Sequence, residues 1–211
     1  MSHQGLTKFE RIRLVRRLGL NTQNDILITG EDDWQRNFEW LKQFDRYTVR
    51  SFREGPSVGV EPYFAIIDAA AFEQHRQNLL DQGWELIIAE GVDPKEALLA
   101  GTILREGEVT EVDIVRGSGS VTRQVTHDGQ IDDHFVVNGE DFTGDGFVDE
   151  ALSKIRELEQ MKPNLSFLKK VIYEFSYYQP EVGYKRENVI FWEITGFDKM
   201  SDLGIDPQEL W

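Results

Sequence analysis

Two glutamates near the end of the chain sit where an acid is least expected. Glu174 lies in VIYEFSYY (171–178) and Glu193 in NVIFWEIT (188–195), each inside a run that is otherwise mostly aromatic and aliphatic. An ionised carboxylate is costly to bury unless a cation or metal accompanies it. On adjacent strands the two acids would converge on a hard divalent cation, and Mg2+ takes such oxygen donors. Strand alternation leaves a second reading open. Tyr173, Phe175 and Tyr177 would face away from Glu174, and Ile190 and Trp192 away from Glu193, with both acids in water on the open face of an antiparallel sheet.

The basic candidates lie elsewhere. YTVRSFREG carries Arg50 and Arg53 on a strand that runs into a Gly/Pro-rich loop. Arginine stays charged and forks onto phosphate oxygens, so this pair reads as a phosphate clamp, or else as a surface ion pair with Asp45 or Glu54. IVRGSGSVTR sets Gly117 and Gly119 in a small turn flanked by Arg116 and Arg123, where backbone N–H groups could face an anion. An ordinary hairpin turn accounts for the same residues. DFTGDGFVDEAL (141–152) resembles a calcium loop, with Asp141, Thr143, Asp145 and Asp149 at ligand spacing. Its twelfth position is Leu152 instead of the bidentate glutamate that calcium requires. An acidic loop capping the next helix is the simpler account. His3, His75, His127 and His134 show no ligand spacing, and no serine stands in a nucleophile-elbow context.

The elements that must hold these residues are legible from periodicity. Phe9, Ile12, Val15 and Leu18 recur every three residues and predict a helix over 7–18, its other face bearing Arg11, Arg13, Arg16 and Arg17. That basic run reads as a solvated face or as an anion-binding one. Further helices are predicted at Trp34–Leu41, Ala69–Gln82 and within Asp145–Met161, and strands at 25–29, 47–52, 63–67 and 84–89. A hairpin pairs Leu98–Leu104 with Val109–Val115 around Gly107. Val121–Thr126 resumes β alternation, Asp128–Asp145 reads as a loop, and 171–178 and 188–195 close the chain as strands.

Composition bounds the class. The chain has 211 residues, 40% hydrophobic and 29% charged, with 13 Phe, 6 Tyr and 5 Trp to build a core. A net charge of −15 opposes general nucleic-acid binding, which draws on clustered Lys and Arg. Cysteine is absent, which removes thiolate chemistry and fits a reducing compartment. No apolar run reaches membrane-span length and the N-terminus has no signal-peptide core, so a cytoplasmic protein is expected.

Taken in order, these segments resemble the ATP-grasp domain of phosphoenolpyruvate synthase and pyruvate phosphate dikinase. The resemblance rests on VRS (49–51), on LIIAEGVDPKEALLAGTIL (86–104), on GSGS (117–120), and on the acidic strands YEFS and FWEI. The long nucleotide lid is shortened, and no swivelling domain with a phosphate-carrying histidine is matched. The fold implied is α+β, mostly antiparallel sheets with flanking helices in two lobes. Its division is expected at 1–115 and 116–211, or as one continuous domain. The cofactors implied are ATP and Mg2+. Arg50, Arg53, Arg116, Gly117 and Gly119 would contact phosphates, Glu90, Gly91 and Val92 would line the adenine pocket through backbone groups, and Glu174 and Glu193 would hold the metal. The function implied is that of an ATP-dependent phosphotransferase or ligase working by positioning and charge neutralisation. The competing expectation is a non-catalytic interaction or structural module with an acidic surface and a protein partner.

Overall fold

The computed structural model describes residues 8–53, 63–93, 96–117, 122–126, 128–138, 143–162, 165, 168, 170–179 and 188–196. Alternating aromatic and β-branched residues form strands and three-to-four spacing forms helices. The order is α1 (Lys8–Arg17), β1 (Asp25–Ile28), α2 (Glu31–Leu41), β2 (Arg46–Phe52), β3 (Tyr63–Asp68), α3 (Ala69–Asp81), β4 (Glu85–Glu90), β5 (Ala97–Glu106), β6 (Val109–Arg116), α4 (Thr122–Thr126), β7 (Asp133–Asn138), α5 (Gly146–Met161), β8 (Val171–Tyr178) and β9 (Val189–Thr195). Contacts divide the chain into Gln23–Asp93 and a second unit of Met1–Thr22 with Pro94–Trp211. A division after Val115 would instead cut through β6.

The smaller unit carries a four-stranded antiparallel sheet in the order β1-β4-β2-β3. Ile28, Val49, Leu86 and Ile88 from its strands join Trp34 and Leu41 of α2 and Phe72 and Leu79 of α3 in one buried cluster. Phe72 anchors it, with its ring 6.1 Å from Trp34 and 5.9 Å from Tyr47. Asp68 caps α3 by accepting from the N–H groups of Ala70 and Ala71, which satisfies donors the helix cannot pair itself.

The larger unit carries a five-stranded antiparallel sheet in the order β7-β6-β5-β8-β9. One face joins Val148, Leu152, Ile155 and Leu158 of α5 in a cluster with Ile103, Val112, Ile114, Tyr173, Phe175 and Phe191. Gly101 lets β5 and β6 approach closely: a Cβ there would stand 2.3 Å from the Asp113 carbonyl oxygen. Asp145 caps α5 through the N–H groups of Phe147 and Val148.

Three local expectations are corrected. Within 121–126, Thr122–Thr126 form α4 and not a strand. Thr126 Oγ1 bonds back to the Thr122 carbonyl at 3.1 Å, which serves a β-branched residue within a single turn. The stretch read as a loop contains β7, paired along its length with β6. The Arg11 face of α1 is not fully solvated. Arg11, Arg13 and Arg16 are half-buried and only Arg17 is exposed, while the Arg13 guanidinium lies 4.8 Å over the Phe9 ring.

Candidate functional site

β8 and β9 bring the two glutamates directly opposite one another. Glu174 and Glu193 are register partners, so their side chains leave the same face of the sheet. This face is the reverse of the one packed on α5, since Tyr173 and Phe175 point into that core. Glu193 is 6% exposed and Glu174 half-buried. The solvent-facing alternative therefore does not describe Glu193.

A bulge sets the local geometry. The register passes from Glu174 opposite Glu193 to Phe175 opposite Phe191, leaving Trp192 as the extra residue. Simple alternation puts Ile190 and Trp192 away from Glu193, and the bulge reverses this. Ile190 pairs with Ser176, two residues from Glu174 and thus on its face, and the Trp192 indole N–H donates to Ser176 Oγ at 2.9 Å.

Two helices reach this face. Arg11 of α1 places Nε 2.5 Å from Glu193 Oε1. The segment after α1 is tied to the same strand: Asn21 accepts from the Phe191 N–H and donates from Nδ2 to the Val189 carbonyl, both at 2.8 Å. Thr122 of α4 donates from its hydroxyl to Glu174 Oε2 at 3.1 Å.

The same register row continues across the sheet. Glu174 pairs with Thr102, Thr102 with Asp113, and Asp113 with His134. The row ends in a contact of 2.7 Å between His134 Nδ1 and Asp113 Oδ1. Sequence spacing gave no hint of it, because its five residues come from five strands. Among the described residues no group of three or more His, Cys, Asp or Glu could hold a metal ion. A cation on Glu174 and Glu193 would take its remaining oxygen donors from water or from a ligand, which is how Mg2+ is commonly held on one or two carboxylates.

The remaining candidates divide between the units. In the smaller one, Arg50 is half-buried on β2 and forms no ion pair among the described residues; Asp45 does not reach it, and Glu54 lies outside them. The Arg53 guanidinium lies 4.6 Å over the Trp84 ring. At the end of β4 the Glu90 carbonyl accepts from Gln23 Nε2 at 2.6 Å, and the Gly91 N–H donates to the Arg46 carbonyl at 2.9 Å. A Cβ at Gly91 would stand 3.0 Å from that carbonyl. Val92 follows, half-buried.

In the larger unit, Arg116 lies between Asp133, at 2.6 Å, and Asp145. Those bonds, Asp133 first, hold its guanidinium above the usual arginine pKa. Burial alone would raise the Asp145 carboxyl, and the Arg116 bond with the Val148 and Phe147 N–H groups outweighs that and lowers it. Gly117 takes a positive φ of 99° and donates to the Leu98 carbonyl, and Gly119 lies outside the described residues. In the calcium-like loop, Thr143 donates through N–H and Oγ1 to Asp149 Oδ1, while Asp145 caps α5. Asp141 is outside the described residues.

This pair of antiparallel sheets with flanking helices is the ATP-grasp fold. The chain resembles N5-carboxyaminoimidazole ribonucleotide synthetase, solved as its ADP complex, at a TM-score of 0.54 and 12% identity over 91% of this chain and 45% of that one. It also resembles an ATP-grasp ligase associated with ribosomally made peptides from Chryseobacterium gregarium, solved with ADP and leader and core peptides, at a TM-score of 0.51 and 12% identity over 93% of this chain and 54% of that one. The chain thus spans about half the length of these structures. No family model and no curated protein matches it. The likeness to phosphoenolpyruvate synthase in particular rests on the sequence segments alone. No described helix is long and apolar enough to cross a membrane.

Proposed function

We propose that this chain binds ATP with Mg2+ and serves an ATP-dependent ligase or phosphotransferase. The observation that carries the reading is the direct opposition of Glu174 and Glu193, with Glu193 almost wholly withdrawn from water. A pair of facing carboxylates, one of them buried, offers the oxygen donors a hard cation prefers, and two structures similar to this chain were solved with ADP. When bound, Mg2+ would neutralise charge on the phosphate oxygens. Within the larger unit, Gly117 and Gly119 would meet the phosphates by close backbone approach, while Arg116 is already matched by two carboxylates. Within the smaller unit, Arg50 and Arg53 are the candidates for phosphate contact, and Glu90, Gly91 and Val92 for contact with the base through backbone groups.

One observation favours a non-catalytic nucleotide-binding module. Arg11 already sits on Glu193, so positive charge is present at the pair before any metal arrives. ADP release in the presence of candidate acceptors separates the two readings.

Thermal unfolding tests the shared claim. MgATP at a hundredfold its Kd stabilises by about 2.7 kcal/mol and raises the Tm by several degrees. The shift should shrink with ATP in EDTA and disappear in a Glu174→Gln, Glu193→Gln double variant that melts cooperatively. An unchanged Tm for the native protein at millimolar MgATP overturns the nucleotide reading.

A further inference from the structure

We infer that Arg11 is a built-in competitor for the cation site, so that loading of Glu174 and Glu193 by a divalent ion requires the α1 guanidinium to withdraw. The inference rests on the metal reading of that pair and concerns a residue of α1, an element the reading itself does not use. Arg11 Nε and Glu193 Oε1 are 2.5 Å apart, closer than a cation and its hydration shell could share with the guanidinium. Glu193 lies opposite Glu174, so the oxygen engaged by Arg11 belongs to the carboxylate that would complete a two-acid site. The competition is fixed by the chain's course. Asn21 is bonded to Val189 and Phe191 of β9, and α1 packs along that strand, so Arg11 is delivered to Glu193 by the same anchor that holds the helix. A guanidinium is always charged at physiological pH and cannot leave by deprotonation. It can leave only by a change of rotamer or a shift of α1. Arg11 keeps about a third of its side chain accessible, which gives it room to swing outward while Glu193 has none.

The attraction between a guanidinium and a carboxylate in direct contact opposes any cation that competes for the same oxygen. Removing it should therefore tighten Mn2+ binding by about tenfold or more. Mn2+ alone, titrated against the native chain, Arg11→Gln and Arg11→Lys by calorimetry and electron paramagnetic resonance, reads this directly. The expected order is Arg11→Gln tightest, with Arg11→Lys close to native, and the gain abolished when Glu174→Gln is added. Melting curves supply a second measure: Arg11→Gln should lose stability without the ion and recover more than the native chain when Mn2+ is added. Equal or weaker Mn2+ binding by a cooperatively folded Arg11→Gln overturns the inference and leaves the metal site standing. Absence of Mn2+ binding in every variant overturns it as well, and the melting response to MgATP then decides separately whether the nucleotide reading survives.

Discussion

Arg76 in the smaller unit and Arg11 in the larger one each meet a carboxylate at close range, yet they divide burial in opposite ways. Arg76 is the buried partner, its side chain 8% exposed, and its two acids, Glu31 and Glu73, are 43% and 49% exposed. Its guanidinium also lies 4.4 Å over the Trp34 ring. Burial alone would lower the Arg76 pKa, and the bonds to Glu73 and Glu31 outweigh that and raise it. At the other site the acid is withdrawn: Glu193 keeps 8% of its side-chain surface and Arg11 keeps 31%. A buried cation with two solvated acids is a finished structural device, because losing either acid still leaves Arg76 paired with the other. A buried acid covered by a half-exposed cation is different. Its partner can be exchanged, and whatever replaces it must also be positive. That asymmetry marks the β8–β9 pair as the functional candidate and the Arg76 cluster as scaffold.

The largest effect should come from taking the cation off the buried acid. Without divalent ions, Arg11→Gln should lose about 3 kcal/mol, because the carboxylate stays in place with its guanidinium gone. Urea titration with and without Mn2+ measures both the loss and its recovery. Arg76→Gln should lose less, about 2 kcal/mol, through the stem's packing and the Trp34 contact, since its acids fall back into water. No divalent ion should restore that loss. If the two variants respond alike to Mn2+, the distinction between an exchangeable and a finished ion pair fails.

How much of this was visible in sequence follows from the range of each interaction. α2, α3 and α5 and the strands β2, β8 and β9 were legible because their side chains repeat at the period of one element. Glu174 and Glu193 stood out because a charge in an apolar run is locally anomalous. β7 was hidden by its acidic flanks, which resemble loop composition, and α4 by two threonines and a valine that favour strands. The bulge at Trp192 lay beyond any parity argument, because one inserted residue flips every side chain before it. Arg11 was noticed as part of a basic face, but its partner is 182 residues away and no local period links them. The row from Glu193 to His134 has the same origin: pairing across five strands assembles it, and only the register shows it.

The smallest effect should appear on the solvated side of the Arg76 cluster and carry a sign. Glu31 is held below the ordinary glutamate value of 4.5, first by its hydrogen bond from Gln35 and then by Arg76. A carboxylate whose folded pKa is depressed contributes stability that is full above its unfolded value and is lost as the pH falls through the lower folded one. Glu31→Gln should therefore cost stability near neutrality and converge with the native chain as the pH falls through the lowered folded value, with Arg76 charged throughout. Because Glu31 is largely in water, screening limits the difference to roughly a few tenths of a kcal/mol, and it should shrink further in high salt. Urea titrations at pH 7 and pH 3.5 in low and high salt check this. A loss exceeding that of Arg76→Gln would mean that the acid, and not the buried cation, carries the cluster, and the contrast with Glu193 would then have to be redrawn.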